Sequence, residues 1–576
     1  MKRPNDQQMI KKKGFQKMKK KIWPAMICPV LFIILMRILI PFIYGMVDDR
    51  SMMEIVSGQY TGMPDPHMIF TGYWYGLLVA GFYWLLPQVD WYALCMLALE
   101  AACLGLMLYR LMGKRQKRNW WTALFFLLIC VCMGIRPVTQ VTFTTTGAVL
   151  AVALIFWYMT MEEIHMYDLI VLGALGLFAV ELRFSVYVMV LPVCGVLWLF
   201  RVWKEKGRDK KNLLIPVIAA GVLGIYGMGI LVGYGNKGWT SYRVYNDNRS
   251  LIYDYEDYMF PRFEDAQVLY GQVGVESKAR AKNLYYYNYT ADDQVNQEFF
   301  ADYLQAKEEQ LKSEQISILT KLKQTLKTYI KSAVSGKYGY VHLVLLGGYL
   351  ALTILLLLKR EYEMTAKVMA VFAVQILLWL YLVWRGRTPE RVLISMNLML
   401  AEPLVLFWTG ALKHVQMPAK VVKTGTVLFL VIVCIYAGVQ IKTVSAENVE
   451  QARWNRSVED LKEYCMDHPE NFYFNDVTSL AMTTWNVHLW NPKQYRMNYM
   501  SLGDWMSFSP IWQEKLEQNG ISSVREALYG QDNIYLISSF DRGTEYLTEL
   551  YDGVTCEQVD TIRQFKVYRL VKEAGK

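Results

Sequence analysis

Apolar residues along this chain are gathered into blocks separated by short polar stretches. Ile22–Tyr44, Leu213–Tyr234 and Lys423–Val444 each approach the ~20 residues that carry a helix across ~30 Å of hydrocarbon. The same pattern predicts about eleven spans, near 22–44, 91–112, 120–135, 147–161, 168–183, 185–203, 213–234, 338–358, 364–384, 393–411 and 423–444. His67–Pro87 is equally apolar but crowded with Gly, Trp and Tyr, and its placement decides the topology. If it lies at the interface, inside segments hold twenty-three Lys/Arg and short outside loops five. If it spans, that bias disappears. The positive-inside tendency therefore predicts an interfacial helix here. The amino terminus is then cytoplasmic. The loop around Asp48, the turn Arg136–Thr146, the segment 235–336, the turn Arg385–Arg391 and the carboxyl-terminal region all lie outside.

Composition agrees. With 54% hydrophobic and 19% charged residues among 576, a cytosolic enzyme, a disordered chain and a disulfide-rich secreted module are excluded. The net charge of +10 is uneven: residues 1–21 carry nine Lys/Arg against Asp6 alone. Beside an apolar block this is a cytoplasmic tail near anionic lipid, not a nucleic-acid arm. The block after it is long and lacks a small-residue cleavage site, so it stays as a helix. Domain bounds follow: a tail at 1–21, a membrane domain at 22–444 with an outer loop at 45–90, and a soluble region at 445–576. In the last, β-rich runs such as Asn533–Ser538 and Phe565–Val571 alternate with helix-compatible stretches, predicting a small extracytoplasmic α/β domain. Cys465 and Cys556 can pair if that side is oxidising.

Two adjacent carboxylates, Asp48 and Asp49, follow the first span in IYGMVDDRSMMEIVSGQYTGMPDPH. An isolated acidic pair commonly just solvates a helix end. Here it precedes Arg50, Glu54, a Gly/Pro turn and the interfacial segment, which could cover a site open sideways to lipid. A carboxylate partly screened from water there can serve as a general base.

A span ending in an acidic pair, then an interfacial helix, further helices and an outward soluble domain resembles the GT-C glycosyltransferases, among them the protein O-mannosyltransferases and the lipid A aminoarabinose transferase. The resemblance implies a polyprenyl-phosphate-linked sugar donor, inversion at the anomeric carbon, and Asp48 as the base with Asp49 beside it. It implies multi-pass placement in the cytoplasmic membrane, with a glycan or protein of the cell envelope as acceptor. Where related transferases carry another acid after an outer Arg, this chain has Arg136 followed by Thr142–Thr146. Asp65 or another loop residue would then fill that role, or the role is absent.

A lipid-phosphate donor needs cations. Arg136, Arg249, Arg387 and Arg391 are the candidates, since Arg suits bidentate phosphate recognition; the bland alternative is headgroup snorkelling. Arg183, in VELRFSVY, is a further outer-end arginine that Glu181 or Glu100 could simply pair. Twelve tyrosines lie in 235–336. Trp239, Tyr245 and Asn246 there, with Asp65 and His67, form a set suited to an acceptor or sugar, or else to an ordinary aromatic outer layer. The six His are scattered without HExxH, so no metal ligand set is predicted; a divalent ion at the acidic pair stays open. Two other readings stand: a transporter or flippase for lipid-linked saccharide, favoured by Glu100, Glu181 and Glu402 within spans, and a non-catalytic envelope-assembly protein.

Overall fold

The computed structural model describes residues 4–113, 126–207, 209–313, 317–335, 339–414, 419–480, 483–491, 496–539, 545–551 and 553–572. Helix α1 (Pro4–Leu39) runs to a two-residue strand, β1 (Ile43–Tyr44), followed by α2 (Val47–Val56), α3 (Tyr73–Leu85) and α4 (Trp91–Gly113). A π-helical turn at Cys130–Gly134 and a helical turn at Ile135–Thr139 lead through β2 (Gln140–Val141) into α5 (Phe143–Thr160). Helices α6 (Met166–Leu182), α7 (Phe184–Lys204) and α8 (Leu214–Tyr234) follow. The next segment includes α9 (Lys237–Asp254), α10 (Gln297–Ser313) and α11 (Ile318–Ser335). Then come α12 (Gly339–Leu358), α13 (Tyr362–Trp384), α14 (Glu390–His414) and α15 (Ala419–Asp467).

Among the described residues, eight helices are long and apolar enough to cross a membrane: parts of α1, α4, α5, α7, α8, α12, α13 and α14. Three expected spans differ. The one near 120–135 lies partly outside the described residues. That near 168–183 is α6, with 17 residues, a little short of a full crossing. That near 423–444 is part of α15, whose 49 residues extend well past any bilayer. Helix α3, within His67–Pro87, has 13 residues, too few to cross.

Helix α5 is apolar all round and buried along nearly its whole length, which makes it the central helix of the bundle. It packs against α4, α6, α7 and α14. Outer helices turn apolar side chains such as Leu231, Val344 and Leu377 outward, the pattern of a lipid-facing surface. At one end of the bundle, Arg110 donates to Thr160, Lys211 donates to the Ile164 carbonyl, and Lys204 pairs with Glu363. The loop of α2 and α3, the α6–α7 junction and the α13–α14 turn gather at the other end.

Past α15 lie β3 (Phe472–Asn475), β4 (Tyr499–Ser501), α16 (Pro510–Gln518), β5 (Ile534–Ser538), β6 (Val554–Ile562) and β7 (Phe565–Lys572). They form a five-stranded sheet in the order β4-β3-β5-β7-β6. β3 is parallel to β4 and β5, while β7 is antiparallel to β5 and β6. Strand alternation puts Phe472 and Phe474 against Trp512 and Leu516 of α16. Tyr473 faces the other way, into a core containing Val458, Leu461 and Cys465 of α15. Cys556 packs with the first core, so it and Cys465 sit on opposite faces of the sheet. The pairing that the sequence left open is not made: both are free thiols.

This region is laced to the rest of the polar end. Tyr44 N–H donates to the Trp485 carbonyl at 2.8 Å and Val487 N–H to the Phe42 carbonyl at 3.0 Å. From the 235–336 segment, Thr290 N–H reaches the Leu502 carbonyl at 2.9 Å and Gln297 Nε2 the Phe508 carbonyl at 3.0 Å.

Candidate active site

The acidic pair is placed by backbone pairing. β1 lies parallel to β2, with Ile43 opposite Gln140 and Tyr44 opposite Val141. Gly45 permits the close approach: a Cβ there would stand 3.2 Å from the Gln140 carbonyl oxygen. Asp48 and Asp49 then fall in the first turn of α2, where the helix dipole favours negative charge.

The two carboxylates have different surroundings. Asp49 is fully buried. Its Oδ1 accepts from Tyr92 Oη at 2.8 Å and from the Phe143 backbone N–H at 3.1 Å. Phe143 opens α5, and the Thr142 side chain makes no capping bond, so Asp49 satisfies one of the orphan donors of the central helix. Burial raises its pKa to about 7, against the pull of these bonds. Asp48 is partly open, with its side chain 23% exposed, and its Oδ2 lies 4.0 Å from Arg391 Nη2 at the start of α14.

Around Asp48 the fold assembles arginines from separate elements. Arg391 also contacts Met46 Sδ at 3.6 Å, and its buried Nε has no partner among the described residues. Arg387 donates to Asp254 Oδ2 at 2.6 Å. Arg183, at the junction of α6 and α7, holds its guanidinium over the rings of Phe143 and Phe70, at 5.1 and 5.9 Å. It is in electrostatic reach of Arg391, Arg387, Asp48 and Asp254. Three cations thus face two carboxylates, which leaves room for an anion.

Other expected residues are placed elsewhere. Arg136 pairs with Glu447 at 2.8 Å and donates to Gln140 at 2.9 Å, tying α15 to β2. Arg249 is buried, donates to Asn246 Oδ1 at 3.1 Å, and stands among Tyr242, Tyr245 and Tyr289. Both are engaged in internal ties in this structure. Several of the residues expected to meet a saccharide are engaged as well. Trp239 is 4% exposed and stacks on His67 with ring centroids 4.4 Å apart. His67 is engaged at both nitrogens, by Asp65 at 2.7 Å and the Gly233 carbonyl at 2.9 Å. Tyr245 is buried and hydrogen-bonded to Tyr289 at 2.7 Å. His67 and Trp239 thus join the 58–72 loop to α8 and α9, while Tyr245 packs within the 235–336 segment against Tyr289 and Phe300.

Some contributors escaped the sequence reading. Tyr92, which donates to Asp49, carries no local signal, and the link between Asp254 and Arg387 exists only in the folded chain. A second charged cluster joins α2 to the carboxyl-terminal region. Glu54 accepts from Tyr499 Oη at 3.3 Å. Lys462 donates to Gln59 at 2.8 Å. Lys515 is fully buried, 4.1 Å from the Tyr60 ring centroid, with no hydrogen-bond partner among the described residues. Burial pulls both lysines down to about 7, with Glu54 opposing the shift. Periodicity offered a clue to Lys515: it shares the buried stripe of α16 with Ile511, Trp512 and Leu516.

Among the described residues no group of three or more His, Cys, Asp or Glu is arranged to hold a metal. Two of the acids within spans have local partners: Glu100 accepts from Thr146 at 2.7 Å and Glu181 from the Tyr75 N–H at 3.1 Å. A groove of about 370 Å³ at the opposite end of the bundle is lined by Glu162, Arg201, Lys204 and Asp209, away from the acidic pair.

No protein-family model and no curated protein matches the chain. A solved structure described as the crystal structure of ArnT from Cupriavidus metallidurans bound to undecaprenyl phosphate aligns with it at a TM-score of 0.39 and 12% identity. The alignment covers 94% of this chain and 97% of that one.

Proposed function

We propose that this multi-pass membrane protein is a GT-C-type glycosyltransferase, moving a sugar from a polyprenyl-phosphate-linked donor to a cell-envelope acceptor on the outer face of the cytoplasmic membrane. The observation that carries the reading is the partly exposed Asp48 carboxylate facing Arg391, beside Arg387 and Arg183. Arg391 and Arg387 would take the donor phosphate, since a guanidinium offers a planar fork of donors to its oxygens. Arg183, above two aromatic rings, adds positive charge without a carboxylate of its own. Asp48 would accept the proton of the attacking hydroxyl or amine as the bond from the anomeric carbon to phosphate breaks. The leaving phosphate keeps that electron pair and stays beside the arginines. Asp49, buried against Tyr92 and α5, would hold the first turn of α2 in place and not exchange protons with substrate. The short helix α3, apolar on its outer side at Leu77, Leu78 and Trp84, would lie against the lipid tail.

The test is transfer by purified protein from a synthetic polyprenyl-phosphate sugar, alongside mass spectrometry of envelope polymers from cells lacking the gene. Undecorated polymer with accumulated lipid-linked sugar, and loss of transfer in Asp48→Asn at normal expression, support the reading. Full transfer by Asp48→Asn overturns it. A flippase would move lipid-linked sugar between leaflets with no change in its covalent structure.

A further inference from the structure

Helix α11, Ile318–Ser335, has a three-sided surface that the proposed chemistry does not use. At 100° per residue, Thr325, Tyr329 and Ala333 share its docked side. Tyr329 Oη bonds His342 Nε2 of α12 at 2.8 Å, and its ring meets Trp379 of α13 edge-on at 6.2 Å. The next sector is apolar yet open: Leu319, Leu326, Ile330 and Val334 are 70, 42, 59 and 67% exposed. Lys323 stands at the far edge of this sector, beside Val334, with Lys327 and Lys331 beyond it, and the helix contains no Asp or Glu. Lys321 sits at the edge of the docked side, over the Trp384 ring and 3.9 Å from Asp257.

The open apolar sector continues the lipid-facing surface of the helices beneath it, where Val344 of α12 and Leu377 of α13 are 71 and 64% exposed. A helix seated between bilayer and water needs this arrangement: an apolar flank in the acyl boundary and a basic flank among headgroups. Trp384, under Lys321, is an interface residue by type. Arg385 and Arg387 follow directly, so α11 stands at the depth of the arginine cluster.

We propose that α11 lies in the membrane interface on the side of the arginine cluster, and that Lys323 and Lys327 bind the phosphate headgroups of anionic phospholipid. The opposite charge is drawn by a row of cations without acids among them, and the lipid tails cover the exposed leucines and isoleucine. This surface is independent of whether Asp48 transfers a sugar.

The experiment uses the full chain in vesicles of phosphatidylcholine with 30 mol% phosphatidylglycerol, a composition chosen for roughly physiological anionic charge. A photo-crosslinking residue at Ile330 should add the mass of a phospholipid on irradiation, while one at Gln324 should not. Absence of a lipid adduct at Ile330, or an adduct with another protein in its place, overturns the seating. After detergent extraction, the co-purified phosphatidylglycerol-to-phosphatidylcholine ratio should fall at least about fivefold in Lys323→Gln/Lys327→Gln, the effect of one basic residue at an anionic surface. An unchanged ratio overturns the anionic preference.

Discussion

Asp48 at the start of α2 faces Arg391 at the start of α14, with 4.0 Å between Oδ2 and Nη2. The contact joins segments 343 residues apart in the chain, and it is partly open to solvent. An arriving phosphate would compete with Asp48 for Arg391 and leave the carboxylate free to act as base.

The first prediction concerns that pair. Asp48→Asn should lower transfer by about 10²–10⁴-fold, the range for losing a general base, with little change in melting temperature because Asp48 is partly exposed. Arg391→Gln should weaken binding of polyprenyl phosphate itself. Equal binding by wild type and Arg391→Gln would remove this residue from the donor site.

Asp49 should reveal itself through pH. Its unfolded pKa is 3.8 and its folded value about 7. Between these the folded protein holds a proton that the unfolded chain has lost. Its contribution is therefore fully present below pH ~4 and declines as pH rises to ~7, by at most about 1.4 kcal/mol per pH unit. Melting curves in detergent across pH 5–8 should show this slope in wild type and a shallower one in Asp49→Asn. Identical slopes would mean that the carboxyl titrates elsewhere.

How much of this could be read from the chain depends on how local the cause is. The acidic pair stood out because it ends an apolar block, and the His67–Pro87 block because the Lys/Arg distribution argued against its spanning. Arg387 and Arg391 stood out as arginines flanking a Pro-containing turn on the outer side. Arg136 and Arg249 were not separable from them, since Glu447 and the tyrosine surroundings that engage them are fixed by tertiary contacts. Trp239 and Tyr245 stayed ambiguous for a related reason: an aromatic suited to a sugar is equally suited to a core, and only the folded chain shows His67 stacked on one and Tyr289 bonded to the other. Whether Cys465 and Cys556 pair stayed open in the sequence because spacing does not tell which face of a sheet each will occupy.

The buried lysines predict the opposite trend to Asp49. Their folded values are about 7 against the ordinary lysine value of 10.5, so from pH ~7 to ~10.5 the unfolded chain binds the extra protons. Stability should rise with pH across that window. Lys515→Met should raise the melting temperature at pH 7 by removing a buried ammonium without a hydrogen-bond partner, and should flatten the alkaline rise. A lower melting temperature in that variant would show that the ammonium is stabilised by groups beyond the described ones.

Two glycines of the interfacial segment should respond in opposite directions. A Cβ at Gly72 would come within 2.1 Å of Glu181 Oε2, the oxygen that accepts the Tyr75 N–H. Gly72 also donates its own N–H to the Glu181 carbonyl at 2.5 Å. Gly72→Ala must therefore push α3 off the junction that carries Arg183 two residues further on, at a cost of about 1–3 kcal/mol for overpacking. Gly81, inside the same helix, has nothing within 4 Å of its would-be Cβ. Gly81→Ala should stabilise the helix by about 0.5–1 kcal/mol, the usual difference in a helix interior. If α3 serves only to cover lipid, both variants should transfer sugar equally once folded. If its seating sets the position of Arg183, transfer by Gly72→Ala should fall while that of Gly81→Ala holds, and this difference in turnover per folded molecule is the quantity to measure.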